Sequence, residues 1–205
     1  MPKFKFIEDA FEDIKNGKMV IVVDDMSDDN NGDIIMAAEL VTPKDVNFMN
    51  RESGGIIAVS GTAERIMSLD LELIGLKANT LQGTQFGVTI DAKPGTTTGA
   101  SAKDRAATIK LFADPSSKSG DFAKPGHVTT LKALDGGVLA RAGHTEASID
   151  LAKLAGLKPA AVLCTVMTPD GNVAELKYLK EFAEKHNFKM LSIRDLIEFR
   201  RDREK

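Results

Sequence analysis

The chain has 205 residues and a mass of 22.1 kDa, the size of roughly one domain at ~100–200 residues each, and its 42% hydrophobic and 28% charged content excludes a chain disordered throughout. The 27 basic and 30 acidic side chains leave a net charge of −3, so no global positive field draws nucleic acid or anionic lipid. One cysteine excludes an internal disulfide. No apolar run reaches the ~18–20 residues of a membrane span, and the charged N-terminal stretch lacks a leader's apolar core, which together point to the cytosol.

Residues 6–17 carry Ile7, Ala10, Phe11 and Ile14 at helical spacing and predict an amphipathic helix. Residues 19–23 are continuously apolar and predict a buried strand ending at Asp24-Asp25. The polar stretch 26–33 reads as a loop, and 34–40 as a strand or short helix. Thr42-Pro43, a hydroxyl cap followed by proline, starts a helix running to about Arg51. A strand over 55–60, a helix from Thr62 to about Asp70 and an alternating strand over 86–92 follow. Ser101 with Asp104 forms a capping pair for a helix bearing Ala102, Ala106, Ile109 and Ala113 on one stripe. Residues 114–127 read as a loop, and 128–134 with 137–139 as a hairpin or bend around Asp135-Gly136. Next come a helix over 145–155 with Ala147, Leu151 and Leu154 facing inward, a buried strand over 160–167 and a turn at Pro169-Asp170-Gly171. A helix over 176–185, a short strand over 189–191 and a capped helix over 192–201 complete the chain. Without repeats or linkers, this alternation predicts one α+β domain over residues 1–205, a mixed β-sheet with flanking helices.

Three clusters have chemical potential. Asp24, Asp25, Asp28, Asp29 and Asp33 place five carboxylates within ten residues, either an acidic surface loop or oxygen ligands for a hard cation. The run from Thr96 through Thr97, Thr98, Gly99 and Ser101 to Asp104 and Arg105 leads into a helix N-terminus, either a well-capped helix or an anion cradle. Two Gly-His loops carry His127 and His144, the second flanked by Arg141 and Thr145, which suit a phosphate. His186 reads as a structural residue at a helix C-terminus, Cys164 as a buried inert thiol, and Arg200, Arg201 and Arg203 as a solvated helix end.

Together the segments VIVVDD…NNGDIIMAAE, TTGASAKDRAATI, FAKPGHV and GGVLARAGHTEASIDLAKLAGLKPAAVLC resemble the 3,4-dihydroxy-2-butanone 4-phosphate synthase family of riboflavin biosynthesis. The resemblance covers nearly the whole chain. It implies a homodimer with active sites at the subunit interface. The activity implied is a lyase that converts ribulose 5-phosphate to dihydroxybutanone phosphate and formate with Mg²⁺, Mn²⁺ being an alternative. It also implies a small-molecule phosphosugar as partner rather than nucleic acid or membrane. Carried over by motif, Asp29 and His144 are the metal ligands, and Asp29, Asp33, His127 and His144 the catalytic candidates. Arg141, Thr145, Thr98, Ser101, Asp104 and Arg105 are the candidates for holding substrate and phosphate.

The chain departs from the family pattern at several of these positions. Asp28 stands where the family has Arg, Asp29 and Asn31 where it has Glu, Ala58 where it has Cys, and Thr165 where an acid/base Glu is expected. Three readings follow: a synthase with compensations, an enzyme that enolises a related phosphosugar without releasing formate, or a catalytically silent phosphosugar binder.

Overall fold

The computed structural model describes residues 4–25, 31–75 and 83–203. Its seven strands are β1 (Val20–Val23), β2 (Gly32–Ala37), β3 (Gly54–Gly61), β4 (Gln85–Ala92), β5 (Phe122–Lys132), β6 (Ala160–Val166) and β7 (Lys189–Ser192). They form one mixed sheet in the order β4-β5-β3-β6-β2-β1-β7. The β3/β5 and β1/β7 pairs are parallel and the others antiparallel.

The central strands read as unbroken apolar runs because both faces of the sheet are covered. Successive residues alternate between two cores: Ile34, Met36, Val162 and Cys164 on one side, Ile35, Ala37, Ala161 and Leu163 on the other. Helices α2 (Pro43–Phe48), α3 (Ala63–Ser68), α4 (Ala102–Ala113) and α6 (Leu176–His186) close the first side with Val46, Ile66, Phe112 and Phe182. Helices α1 (Lys5–Lys15), α5 (His144–Leu154) and α7 (Ile193–Arg203) close the second with Ile7, Leu151 and Leu196.

Local signals explain most helix starts. Thr42 and Asp45 form a reciprocal box, while Thr62, Ser101 and Ser192 accept the amides of Arg65, Asp104 and Asp195. The helix expected to reach Arg51 ends at Phe48 and continues as a π turn over Met49–Ser53.

Four expectations are corrected. Strand β5 begins at Phe122, inside the stretch read as a loop, because Phe122 is buried and pairs with Ala92 while an irregularity of the ladder absorbs Pro125 and Gly126. Residues 137–139 form a 3-10 turn rather than a hairpin arm, since Val138 is buried and its amide donates to Asp150. Leu154 faces solvent, and Arg200 is not solvated: it pairs with Asp150 at 2.8 Å.

One close approach shapes the site. The β3/β6 register shifts between Gly54 and Ile57. A Cβ at Gly55 would lie 2.2 Å from the carbonyl oxygen of Thr165, so only glycine lets the strands meet there.

Candidate functional site

A cavity of about 620 Å³ opens where β2, β3 and β6 end beside the N-terminus of α5. Its floor is apolar, with Ala58, Leu131 and Leu163, and its polar wall carries Asp24, Asn31, Asp33, Arg141, His144, Thr145 and Thr165. Asp33 sits in β2 between Val22 of β1 and Thr165 of β6. Although only 8% exposed, its carboxylate accepts no hydrogen bond from the described residues. A buried carboxylate facing a cavity without a protein partner is poised for a ligand.

His144 opens α5. Its Nε2 donates to the carbonyl of Val22 at 3.1 Å, which leaves Nδ1 as the lone-pair nitrogen, 3.8 Å from Asp24 Oδ1. An outer partner that fixes the tautomer in this way is the usual support of a metal-binding imidazole. Among the described residues no three of His, Cys, Asp and Glu converge as a metal site. Asp29, the other expected ligand, lies outside the described residues with the remainder of 26–30, Asp28 included.

Arg141 is held by a carboxylate that sequence reasoning missed. Its Nε and Nη2 donate to Glu146 Oε2 at 2.8 and 2.7 Å, and the amide of Leu134 donates to Glu146 Oε1 at 2.8 Å. Glu146 is fully buried and the Arg141 side chain 21% exposed, so the guanidinium reaches the cavity from an anchored base. The N-cap of α5 is Gly143, with no side-chain cap, so the opening amides of this helix face the cavity beside Arg141.

The other helix terminus singled out in the sequence is built differently. Ser101 caps α4, and the Asp104 carboxylate accepts the amides of Thr97 and Gly99 at 3.2 and 3.1 Å and the Thr97 hydroxyl at 2.8 Å. The Thr97 hydroxyl, then these amides, hold the Asp104 carboxyl below the usual carboxylate range. The chain's own carboxylate thus already fills this cradle. Thr98, Ser101, Asp104 and Arg105 do not line the cavity, and neither does His127, which stands with Asp91 on the β4/β5 side of the sheet. The described candidates therefore fall into two groups: Asp33, Arg141, His144 and Thr145 in the cavity, and Thr98, Ser101, Asp104, Arg105 and His127 away from it.

Cys164 is buried, and burial pushes its thiol up to about 12, in keeping with an inert role. His186 packs among Phe48, Phe182 and Phe188. Burial lowers its pKa, so it serves as a neutral ring rather than the helix-end cation its position suggests.

Neither Glu146 nor Asp91 follows from a spacing rule, since each bonds its partner across an element boundary. The only signal for Glu146 is its place two residues after His144 in the RAGHTEA segment.

A model of the 3,4-dihydroxy-2-butanone 4-phosphate synthase family matches residues 8–199. Over 204 residues the chain is 55% identical to the riboflavin biosynthesis protein RibBA of Aquifex aeolicus, covering 98% of this chain and 50% of that protein. It is 50% identical over 206 residues to the bifunctional riboflavin biosynthesis protein RIBA 1, chloroplastic, of Arabidopsis thaliana, covering 100% of this chain and 38% of that one. The chain thus spans half or less of the length of these curated relatives. A crystal structure of the Candida albicans synthase superposes with a TM-score of 0.87 at 43% identity, covering 94% of this chain and 96% of the other. A synthase crystallised in complex with two magnesium ions superposes with a TM-score of 0.91 at 37% identity, covering 97% of each chain.

Proposed function

This chain belongs to the 3,4-dihydroxy-2-butanone 4-phosphate synthase family, and we propose that it acts on a ketose phosphate in the cavity at the head of α5. Ribulose 5-phosphate is the substrate we assign, with dihydroxybutanone phosphate and formate as products. The observation that carries this reading is the buried Asp33 carboxylate, without a hydrogen-bond partner among the described residues, in one cavity with Arg141 and the uncapped N-terminus of α5.

Each residue has a task that its surroundings support. The Arg141 fork, the Thr145 hydroxyl and the first α5 amides bind the phosphate. Asp33 takes a proton from the carbon next to the ketose carbonyl. The floor of Ala58, Leu131 and Leu163 keeps water from the reacting carbons. His144 Nδ1 and Asp29 would hold a divalent cation, Mg²⁺ or Mn²⁺, with Asp24 close by. The donor set suits a hard ion, and the relative crystallised with two magnesium ions supports the assignment. When bound, the cation supplies Lewis-acid stabilisation of negative charge at the sugar carbonyl.

His127 enters through a second copy of the chain. It stands outside its own cavity, while the cavity is flanked by the exposed apolar side chains Ile56, Phe86 and Val173. A homodimer that covers this rim supports a site completed by the partner's His127 cluster. No described helix is long and apolar enough to cross a membrane, and we place the chemistry in the cytosol.

A second reading rests on Thr165. It pairs with Asp33 where the resemblance calls for an acid/base Glu, and a hydroxyl is no base at neutral pH. This favours enolisation of the phosphosugar without formate release. Proton NMR of ribulose 5-phosphate with the protein and Mg²⁺ in D₂O separates the readings. Formate supports the assigned reaction, deuterium uptake without formate supports the second, and an unchanged spectrum refutes both.

A further inference from the structure

Outside the cavity a second polar construction is organised by Asp91. The β4/β5 ladder pairs Ile90 with Val128 but Asp91 with Ala123, so residues 124–127 leave the ladder as an excursion. The excursion is fastened at three points. Lys124 Nζ donates to the carbonyls of Leu69 and Asp70 at 2.8 and 2.6 Å. The Gly126 amide donates to Thr89 Oγ1 at 3.0 Å, and the His127 amide to Asp91 Oδ1 at 2.9 Å. The other carboxylate oxygen, Oδ2, lies 2.7 Å from His127 Nδ1. The Asp91 side chain is mostly buried while the His127 ring is 49% exposed. Behind the carboxylate sits Gly99, with φ +84°, where a Cβ would lie 2.1 Å from Asp91 Oδ2. Only glycine lets the turn before α4 back onto the carboxylate.

We propose that Asp91 is a positioning residue: it fixes His127 in the Nδ1–H form and aims the bare Nε2 outward, as the acid/base nitrogen offered to the cavity of a second copy. The proposal rests on the reading that ketose phosphate chemistry takes place in that cavity and that His127 serves it. An ionised carboxylate only accepts, so the ring nitrogen facing it carries the hydrogen, and in the neutral ring the lone pair falls to Nε2. An exposed histidine otherwise samples both tautomers and several rotamers. Here one carboxylate binds both its amide and its ring, which leaves a single orientation. Fastening the excursion through the His127 amide would use one oxygen only. The second oxygen does for the ring what the third member of a nucleophile–base–carboxylate triad does.

Asp91→Asn separates fastening from positioning. Asparagine keeps an oxygen for the His127 amide and turns an N–H towards Nδ1, which moves the ring hydrogen to Nε2. Ring ¹⁵N NMR at about pH 8, where a typical histidine is neutral, reads the tautomer in the full chain. The native protein is expected to show Nδ1–H and Asp91→Asn to show Nε2–H. Turnover of ribulose 5-phosphate is expected to fall about 10²–10⁴-fold with KM nearly unchanged. A native Nε2–H ring, or Asp91→Asn turning over at the native rate, overturns the proposal. If the native protein converts no phosphosugar, the functional reading fails while the two tautomer spectra still decide whether Asp91 sets the ring.

Discussion

Arg141→Ala should damage the protein in two separable ways. Removing the guanidinium deletes both bonds to Glu146, at 2.8 and 2.7 Å, and leaves a fully buried carboxylate whose remaining donor is the Leu134 amide. Breaking a buried pair from one side costs about 3–5 kcal/mol. With the Arg141 side chain 21% exposed, solvent lowers this to about 2–3 kcal/mol. The lost phosphate contact is a charge-assisted hydrogen bond of about 1.5–3 kcal/mol, which is about 10–150-fold in Kd. Adding Glu146→Gln keeps an acceptor for Leu134 and removes the stranded charge. The double variant should therefore regain at least about 1 kcal/mol of stability over Arg141→Ala while its Kd stays weakened by the same factor. Urea unfolding measures the first quantity, and titration calorimetry with ribulose 5-phosphate and with inorganic phosphate measures the second. A double variant that binds both ligands within twofold of the native protein would refute the placement of the phosphate at Arg141.

Three further perturbations probe the fold and the cavity. Gly55→Ala sets a Cβ 2.2 Å from the Thr165 carbonyl oxygen and should cost about 2–4 kcal/mol by prising β3 from β6; an unfolding midpoint equal to the native one would contradict that contact. The Asp104 carboxyl is held below its ordinary 3.8 by the Thr97 hydroxyl and the amides of Thr97 and Gly99, so between its folded pKa and 3.8 the unfolded chain binds more protons. Its contribution to stability is therefore complete above 3.8 and lost as pH falls through that window, and Asp104→Asn should flatten the acid limb of the stability curve; parallel native and variant profiles would count against it. Asp29→Asn and His144→Ala should each abolish Mn²⁺ binding as followed by electron paramagnetic resonance, and retained binding in either would remove that residue from the metal site.

The features legible in the sequence are those set by near neighbours. The α1 stripe of Ile7, Ala10, Phe11 and Ile14 is buried as its spacing requires, and the caps at Thr42, Thr62, Ser101 and Ser192 all form. Strand order is not legible, because β6 finds its partners in β2 and β3, which lie far back in the chain. Pro125 and Gly126 look like breakers, yet the ladder runs past them, because a register shift between Ile90 and Asp91 absorbs the excursion.

The same limit divides the site. Family motifs name His144, Arg141 and His127 from letters alone. They do not distinguish an N-terminus open to a ligand from one already filled. That difference lies in Asp104 accepting amides five and seven residues upstream, while the α5 N-cap is a glycine with nothing to accept. Glu146 and Asp91 escape notice for a related reason: their partners are fixed by where an excursion or a helix start falls in space.

The assigned reaction is decided by the fate of carbon-13-labelled ribulose 5-phosphate incubated with the full chain and Mg²⁺ in D₂O. Labelled formate together with dihydroxybutanone phosphate is the expected outcome, abolished by Asp33→Asn. A spectrum with neither formate nor deuterium in the sugar would contradict it.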